Sequence, residues 1–402
     1  MQIPVPKIMQ RRFKRPMGQG PWRYVRHPER LRRYTLVTPM RAGGAAFPSM
    51  LFEIRAARRS IEFEIYILRA DRIGEEFRDA LVERARAGVA VRLLYDAVGS
   101  LGLADSFLEP LRAAGGKVAI FHPVAPWRRR VGSSGKWSLN QRDHKKILVV
   151  DERVGFTGGL NLGLEYVAKE DGGAGWLDWH VRVEGPAVHE LAQSFQRTWT
   201  KTTGEILPEP LLPGPALGRN VLGTQVVDNT ALRSRWRMHR AYLHAIAAAQ
   251  HDISILNAYF IPGLSLRRAF RKAAARGVSV RVIVPSDSDV KAVRHASRYL
   301  YRRLIKAGIR IFEWPESMMH AKAGIIDGVW STIGSYNLDH RSLVHNLEVA
   351  LVCIDVPLAA ILQAEFEREL AQCQEVTLAQ LDALTHWERF KDWFWYQLRS
   401  QL

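Results

Sequence analysis

The sequence predicts an α/β protein made of two copies of one domain. Helix-like and strand-like segments alternate at the spacing of crossover units. The same order returns in the second half, and one polar signature occurs twice with identical internal spacing. A repeat of this size marks a duplicated domain; a solenoid would show periods of about 20–50 residues.

In the first copy, Phe47–Arg58 reads as a helix and Ile61–Tyr66 alternates as a strand. An amphipathic helix over Glu75–Ala87 stops at Gly88, and the strand Val89–Tyr95 follows. A further helix over Asp105–Ala114 ends at Gly115 and Gly116, before the strand Lys117–Phe121. The second copy repeats this as helix His239–Gln250, strand Ile253–Tyr259, helix Leu264–Ala275, strand Val278–Val284, helix Val290–Lys306 and strand Ile309–Phe312. The duplication is plainest between RAGVAVRLLYD at 86–96 and ARGVSVRVIVP at 275–285. The expected divisions are a basic arm over 1–42, a first domain over 43–203, a Pro- and Gly-rich linker over 204–228, a second domain over 229–375 and an aromatic, basic segment over 376–402.

With 47% hydrophobic and 24% charged residues, the chain has the composition of a globular protein. Its formal charge of +18 suits a polyanionic partner, either nucleic acid or an anionic bilayer. Two cysteines, Cys353 and Cys373, are too few for a disulfide framework or a Cys-rich zinc site, and fit a reducing cytoplasm. The best apolar stretch, Val349–Leu362, is broken by Asp355 and Pro357, so no spanning segment and no secretion signal are expected. Aromatic residues interleave with cations in the arm, in a loop from Trp127 to Trp137, and in the run HWERFKDWFWYQLRSQL. The loop is expected at a pocket mouth, and the C-terminal run is expected to lie in a membrane interface.

The chemistry sits in RDHKKILVVDERVGFTGGLNLG and MMHAKAGIIDGVWSTIGSYNLDHRS. These place His144, Lys146, Asp151, Gly159 and Asn161 in register with His320, Lys322, Asp327, Ser335 and Asn337. Side chains two apart on a strand share a face, so each His and Lys reach one ligand together. Lysine is not an ordinary metal ligand, so the pair suits a phosphate, with lysine neutralising charge while histidine attacks phosphorus or moves a proton. The glycines permit close backbone approach, and an Asn amide can donate to a phosphate oxygen. A histidine nucleophile also needs a carboxylate to set its tautomer. Asp178 in the first half, with His180 as a competitor on the same strand face, and Glu348 in the second are the candidates.

This double signature resembles that of the phospholipase D superfamily. The stretches IEFEIYILRADRIGEEFRDAL, NAYFIPG and GSYNLDHRSLVHNLEV are similar to bacterial cardiolipin synthases of the shorter B-like type, over about residues 45–375. The resemblance implies two phospholipase D-like domains, each a mixed sheet flanked by helices, meeting at one pocket with pseudo-two-fold symmetry. It implies that one of His144 and His320 forms a phosphohistidine while the other protonates the leaving alcohol. Lys146, Lys322, Asn161 and Asn337 would hold the phosphate, with Gly159 and Ser335 beside it and no metal or other cofactor. Asp151 and Asp327 belong to the family signature, but at strand ends they are expected to be structural or linked to the opposite half-site. The implied reaction is phosphatidyl transfer to phosphatidylglycerol at the cytoplasmic face of the bacterial inner membrane. The alternative reading is a phosphodiesterase hydrolysing phospholipid or nucleic acid, with nucleic acid the weaker substrate because the aromatics gather at the chain ends and beside one loop.

Overall fold

The computed structural model describes residues 19–124, 140–231, 234–315 and 317–402. Residues 1–18 of the expected arm, and the expected mouth loop from Trp127 to Trp137, lie outside them.

The first half runs β1 (Leu36–Arg41), α1 (Ala42–Ala56), β2 (Ser60–Ile65), α2 (Arg72–Arg86), β3 (Ala90–Asp96), α3 (Glu109–Ala113), β4 (Lys117–Phe121), β5 (Ile147–Val150), β6 (Val154–Gly158), β7 (Trp179–Glu184) and α4 (Ala187–Thr203). The second half runs β8 (Gly223–Asp228), α5 (Arg237–Ala248), β9 (Asp252–Asn257), α6 (Leu264–Ala274), β10 (Ser279–Pro285), α7 (Lys291–Ile305), β11 (Ile309–Trp314), β12 (Lys322–Ile326), β13 (Trp330–Gly334), α8 (His340–Val344), β14 (Val349–Ile354) and α9 (Val356–Leu370). The short strand β15 (Gln374–Glu375) and the helices α10 (Leu378–Asp382) and α11 (His386–Gln397) close the chain.

Strand order is β1-β7-β6-β5-β2-β3-β4 in one sheet and β15-β11-β10-β9-β12-β13-β14-β8 in the other. Read from β8, the second order repeats the first and adds β15 at the far edge. Pairs β2–β3, β3–β4, β9–β10 and β10–β11 are parallel, while β5 and β12 join antiparallel, so both sheets are mixed. The motif strands β5 and β12 are buried at every residue and apolar apart from Lys322 at the start of β12, as central strands covered on both faces must be.

Helices α1, α2 and α3 cover the outer face of the first sheet, and α5, α6 and α7 that of the second. A third apolar cluster lies between the halves, joining Ile147, Val181 and Phe195 to Met319, Ile325 and Leu351. This central core holds the two domains in register.

Two expected boundaries shift. Residues 36–41 of the arm form β1, paired with β7, and Tyr24 is buried in the second half's core. The linker ends early, because residues 223–228 form β8 on β14. In both places the Arg or Pro and Gly density masked a short run that completes a sheet edge.

Asp151 and Asp327 occupy equivalent turns, with left-handed φ values of 53° and 51°. Asp151 accepts from the amides of Arg58, Arg59 and Ser60 at 2.7–3.0 Å. Asp327 accepts from Gln250, His251 and Asp252 at 2.7–2.9 Å, and also from the Tyr24 hydroxyl. Each carboxylate therefore ties the turn after a motif strand to the start of the neighbouring strand, within its own half. Neither points to the opposite half-site. Aspartate tolerates the positive φ, and its three amide bonds offset the strain.

Asp327→Ala should lower unfolding free energy by about 1–3 kcal/mol, since three backbone amides and the Tyr24 hydroxyl lose a charged acceptor. Although burial opposes it, the amide and Tyr24 bonds hold the Asp327 carboxyl below its ordinary 3.8. Its stabilisation is therefore complete above that pH and disappears as pH falls through the lower folded value. Urea unfolding of both proteins at pH 7 and pH 3 measures the gap and its closing.

Candidate active site

The two motif strands deliver their histidines to one buried place. His144 and His320 are 5% and 4% exposed, with ring centroids 6.5 Å apart. The His-x-Lys spacing brings Lys146 and Lys322 to the same side, each ammonium also donating to the carbonyl of its own histidine.

The carboxylates pair across the halves. His144 Nδ1 lies 3.0 Å from Glu348 Oε2, and His320 Nδ1 lies 2.8 Å from Asp178 Oδ2. Sequence position suggests the opposite, an acid and histidine matched within each half. The reason for the crossing is two parallel bridges that stitch the domains, Asp143 with Leu347 and Leu177 with Met319. His144 N donates to Leu347 O at 2.9 Å, and His320 N to Leu177 O at 2.7 Å. Each histidine thus leaves the bridge beside the residue that precedes the other half's acid.

Electrostatics separates the two pairs. Burial, then the bond to His320, acts on Asp178; the bond and Lys322 prevail and keep it below the usual carboxylate range. Burial pushes Glu348 up to about 7, against Lys146, Ser335, Ser342 and Asn346. Ser342 Oγ and Asn346 Nδ2 donate to its Oε1, and Ser335 Oγ to its Oε2. Donors on both oxygens favour the carboxylate form, which accepts from His144 Nδ1–H and leaves Nε2 free. Burial and the two lysines hold His144 well below its ordinary value, and burial and Lys322 lower His320 while Asp178 opposes. Burial, then the facing Lys322, pushes Lys146 down to about 7; burial takes Lys322 to about 8. The two facing ammoniums repel each other, and a phosphodiester is their electrostatic complement.

Other expected phosphate ligands are placed differently. A Cβ on Gly159 would lie 2.1 Å from Asp178 Oδ1, so this glycine makes room for the acid. Ser335 holds Glu348. Asn161 accepts from Ile67 N at 3.2 Å and donates to Tyr166 Oη at 2.8 Å. Asn337 Oδ1 is buried with no hydrogen-bond partner among the described residues. His180, the competing imidazole, is buried, pushed down to about 4 by burial, and its Nδ1 has no partner among the described residues.

Sequence reasoning missed an aromatic wall. Tyr66 meets the His144 ring at 4.8 Å, while Tyr166, Trp176 and Tyr259 surround His320 at 5.8, 5.9 and 6.5 Å. Tyr166 and Ser342 both stand 22 residues after their histidines (166 − 144 = 342 − 320). Extending the repeat alignment five residues past Asn161 and Asn337 would have found both.

A duplicated sheet pair with one shared His-Lys pocket defines a phospholipase D-type enzyme. The description "Cardiolipin synthase, PLD-like domain" matches residues 50–199 and 242–370, and the chain belongs to that family. It is 35% identical over 350 residues to a cardiolipin synthase of Geobacillus kaustophilus, covering 86% of this chain and 68% of the relative. A cardiolipin synthase of Halalkalibacterium halodurans is 33% identical over 358 residues, covering 88% and 68%. Among solved structures, phosphatidylserine synthase of Haemophilus influenzae shares the fold with a TM-score of 0.65 at 13% identity, covering 94% of this chain and 99% of that one. Polyphosphate kinase of Porphyromonas gingivalis has a TM-score of 0.54 at 13% identity, covering 82% and 46%.

The crossed pairing has a direct spectroscopic consequence. Glu348→Gln should change the tautomer signals of His144 and leave those of His320 in place, and Asp178→Asn should do the reverse. Ring-nitrogen NMR of histidine-labelled protein reads this; a change confined to the histidine of the same half contradicts the pairing.

Proposed function

We propose that this chain is a phosphatidyltransferase that makes cardiolipin from phosphatidylglycerol and a second phospholipid, through a phosphohistidine. The observation that carries the reading is the pair of imidazoles 6.5 Å apart, each oriented by an acid and flanked by a lysine. That separation fits one phosphoryl group between an attacking and a leaving atom.

His144 is the nucleophile and His320 the proton carrier. The ionised Asp178 supports an imidazolium at His320, whereas His144 faces both lysines and is held neutral. His144 Nε2 forms the N–P bond as the P–O bond to the leaving alcohol breaks, and His320 Nε2–H gives that oxygen its proton. A headgroup hydroxyl of phosphatidylglycerol then loses its proton to His320 and attacks phosphorus, breaking the N–P bond. Lys146, Lys322 and the Asn337 amide hold the non-bridging oxygens, where negative charge is retained. Burial of both rings disfavours water as the acceptor. No described helix is long and apolar enough to cross a membrane. The +18 charge supports peripheral attachment to an anionic leaflet, the cytoplasmic face of the bacterial inner membrane.

Incubation with phosphatidylglycerol vesicles should yield cardiolipin and glycerol by lipid mass analysis; phosphatidic acid alone would mean hydrolysis, and cleavage of added DNA a nuclease. His144→Ala and His320→Ala should each cut turnover by about a thousandfold or more. With a phosphatidyl ester of p-nitrophenol, whose leaving group needs no acid, His320→Ala should accumulate a phosphatidyl adduct on the His144 peptide. An adduct on His320 in the wild type would reverse the roles.

The pH profile follows from the same groups. As pH falls below about 7, Glu348 gains a proton, donates to Nδ1 and leaves His144 Nε2 protonated. As pH rises above about 8, Lys322 joins Lys146 in losing its charge. Thus kcat/KM should peak between these values. In kcat the alkaline limb should move upward, because bound phosphate stabilises the ammoniums.

A further inference from the structure

Helix α11 packs on the second half's core through a narrow mixed face, with Trp395 beside Tyr396, and leaves most of its aromatic rings outside. Its buried residues are Asp392 and Tyr396. Asp392 accepts from Arg298 Nε at 2.7 Å and meets His295 Nδ1 at 2.7 Å, while Tyr396 stacks on Tyr299. The helix is therefore pinned to α7 by the Asp392 ion pairs and the Tyr396 ring. Its outer side carries Trp387, Phe390, Trp393 and Phe394, which are 42–64% exposed. The rings run in a row, with Trp387–Phe390 at 5.5 Å and Phe390–Trp393 at 5.7 Å. Among the described residues nothing covers them. A contiguous aromatic face of this kind marks an interaction surface.

The surroundings select the occupant. Residues 291–306, on and just beyond α7, carry Lys291, Arg294, Arg298, Arg302, Arg303 and Lys306 and no acidic residue. Arg303 and Lys306 are exposed, and the Lys391 ammonium lies 5.8 Å from the Trp387 ring. Tryptophan and phenylalanine flanked by cations match the headgroup boundary of an anionic leaflet. The chain just beyond the helix reaches the segment that leads into the His144 strand. Gln401 O lies 3.4 Å from Arg341 Nη1, and Arg341 bonds Asn140, four residues before His144.

We propose that the aromatic face of α11, with the basic flank of α7, is the surface that docks this chain on an anionic phospholipid bilayer and holds the rim of the His144 site against the lipid. The role of the docking rests on the phosphatidyltransferase reading; the binding itself does not.

The test uses the full chain and two readouts. Co-sedimentation is measured with vesicles of phosphatidylglycerol and phosphatidylcholine and with phosphatidylcholine alone, and turnover is measured on a monomeric short-chain phosphatidylglycerol. Wild type should bind the anionic vesicles. The triple variant Trp387→Ser, Phe390→Ser, Phe394→Ser should lose about tenfold or more in that affinity and keep short-chain turnover. Each cation near the surface adds about fivefold, so Arg303→Glu with Lys306→Glu, which leaves the rings intact, should also cost about tenfold or more. This pair decides the matter if the triple variant fails to fold. Unchanged vesicle binding in a folded variant overturns the proposal. With a lower solution mass it would assign the face to a second copy, and with a lower Tm to this chain's own residues 1–18 or 125–139. Should wild type dock by this face yet not turn over phosphatidylglycerol, the docking stands and the enzymatic reading falls.

Discussion

The molecule depends on an exchange of carboxylates between its halves. Two short parallel bridges, Asp143 with Leu347 and Leu177 with Met319, set each histidine beside the other half's acid. Everything else serves that arrangement. The central apolar cluster holds the sheets in register, Asp151 and Asp327 fix the turns after the motif strands, and Gly159 leaves the volume that Asp178 fills. A histidine ring turned by a few tens of degrees would lose either its acid or its line to phosphorus, so rigidity here is a chemical requirement.

Burial then does two kinds of work. It lowers both imidazoles and both lysines, and raises Glu348, so the ligand-free site sits close to several protonation changes near neutral pH. The halves are not electrostatically equivalent despite their shared topology. Asp178 is backed by the Trp179 amide and held below the usual carboxylate range, while Glu348, equally buried, is longer, ringed by two hydroxyls and an amide, and pushed up. The proposed two-step transfer would need one imidazole that attacks and another that carries a proton, and this inequality supports that division.

Much of the fold was legible because its signals are local. Glycine stops at Gly88 and Gly277 mark helix ends, and the repeat from 86–96 to 275–285 places equivalent strands β3 and β10. The His-Lys pairs were legible because a period of two puts both side chains on one face. What stayed hidden is non-local. The partner of each acid depends on how two domains dock, which no spacing encodes. Tyr66, Trp176 and Tyr259 reach the pocket from three separate connections, and their residue types equally suit a core. Asn161 shows how a motif position can serve two ends: its place suggests a phosphate ligand, while Ile67 and Tyr166 take its oxygen and one of its two amide N–H groups.

Because every imidazole is completed from across the domain boundary, one copy of this unit could never have been a working ancestor by itself. A lone unit would need a second copy beside it before either ring could be set, so association is built into the geometry. Within one chain that meeting is permanent and the two acids are free to differ, one being Asp and the other Glu. The unequal residues at 159 and 335, and at 166 and 342, are the record of that freedom within a single polypeptide.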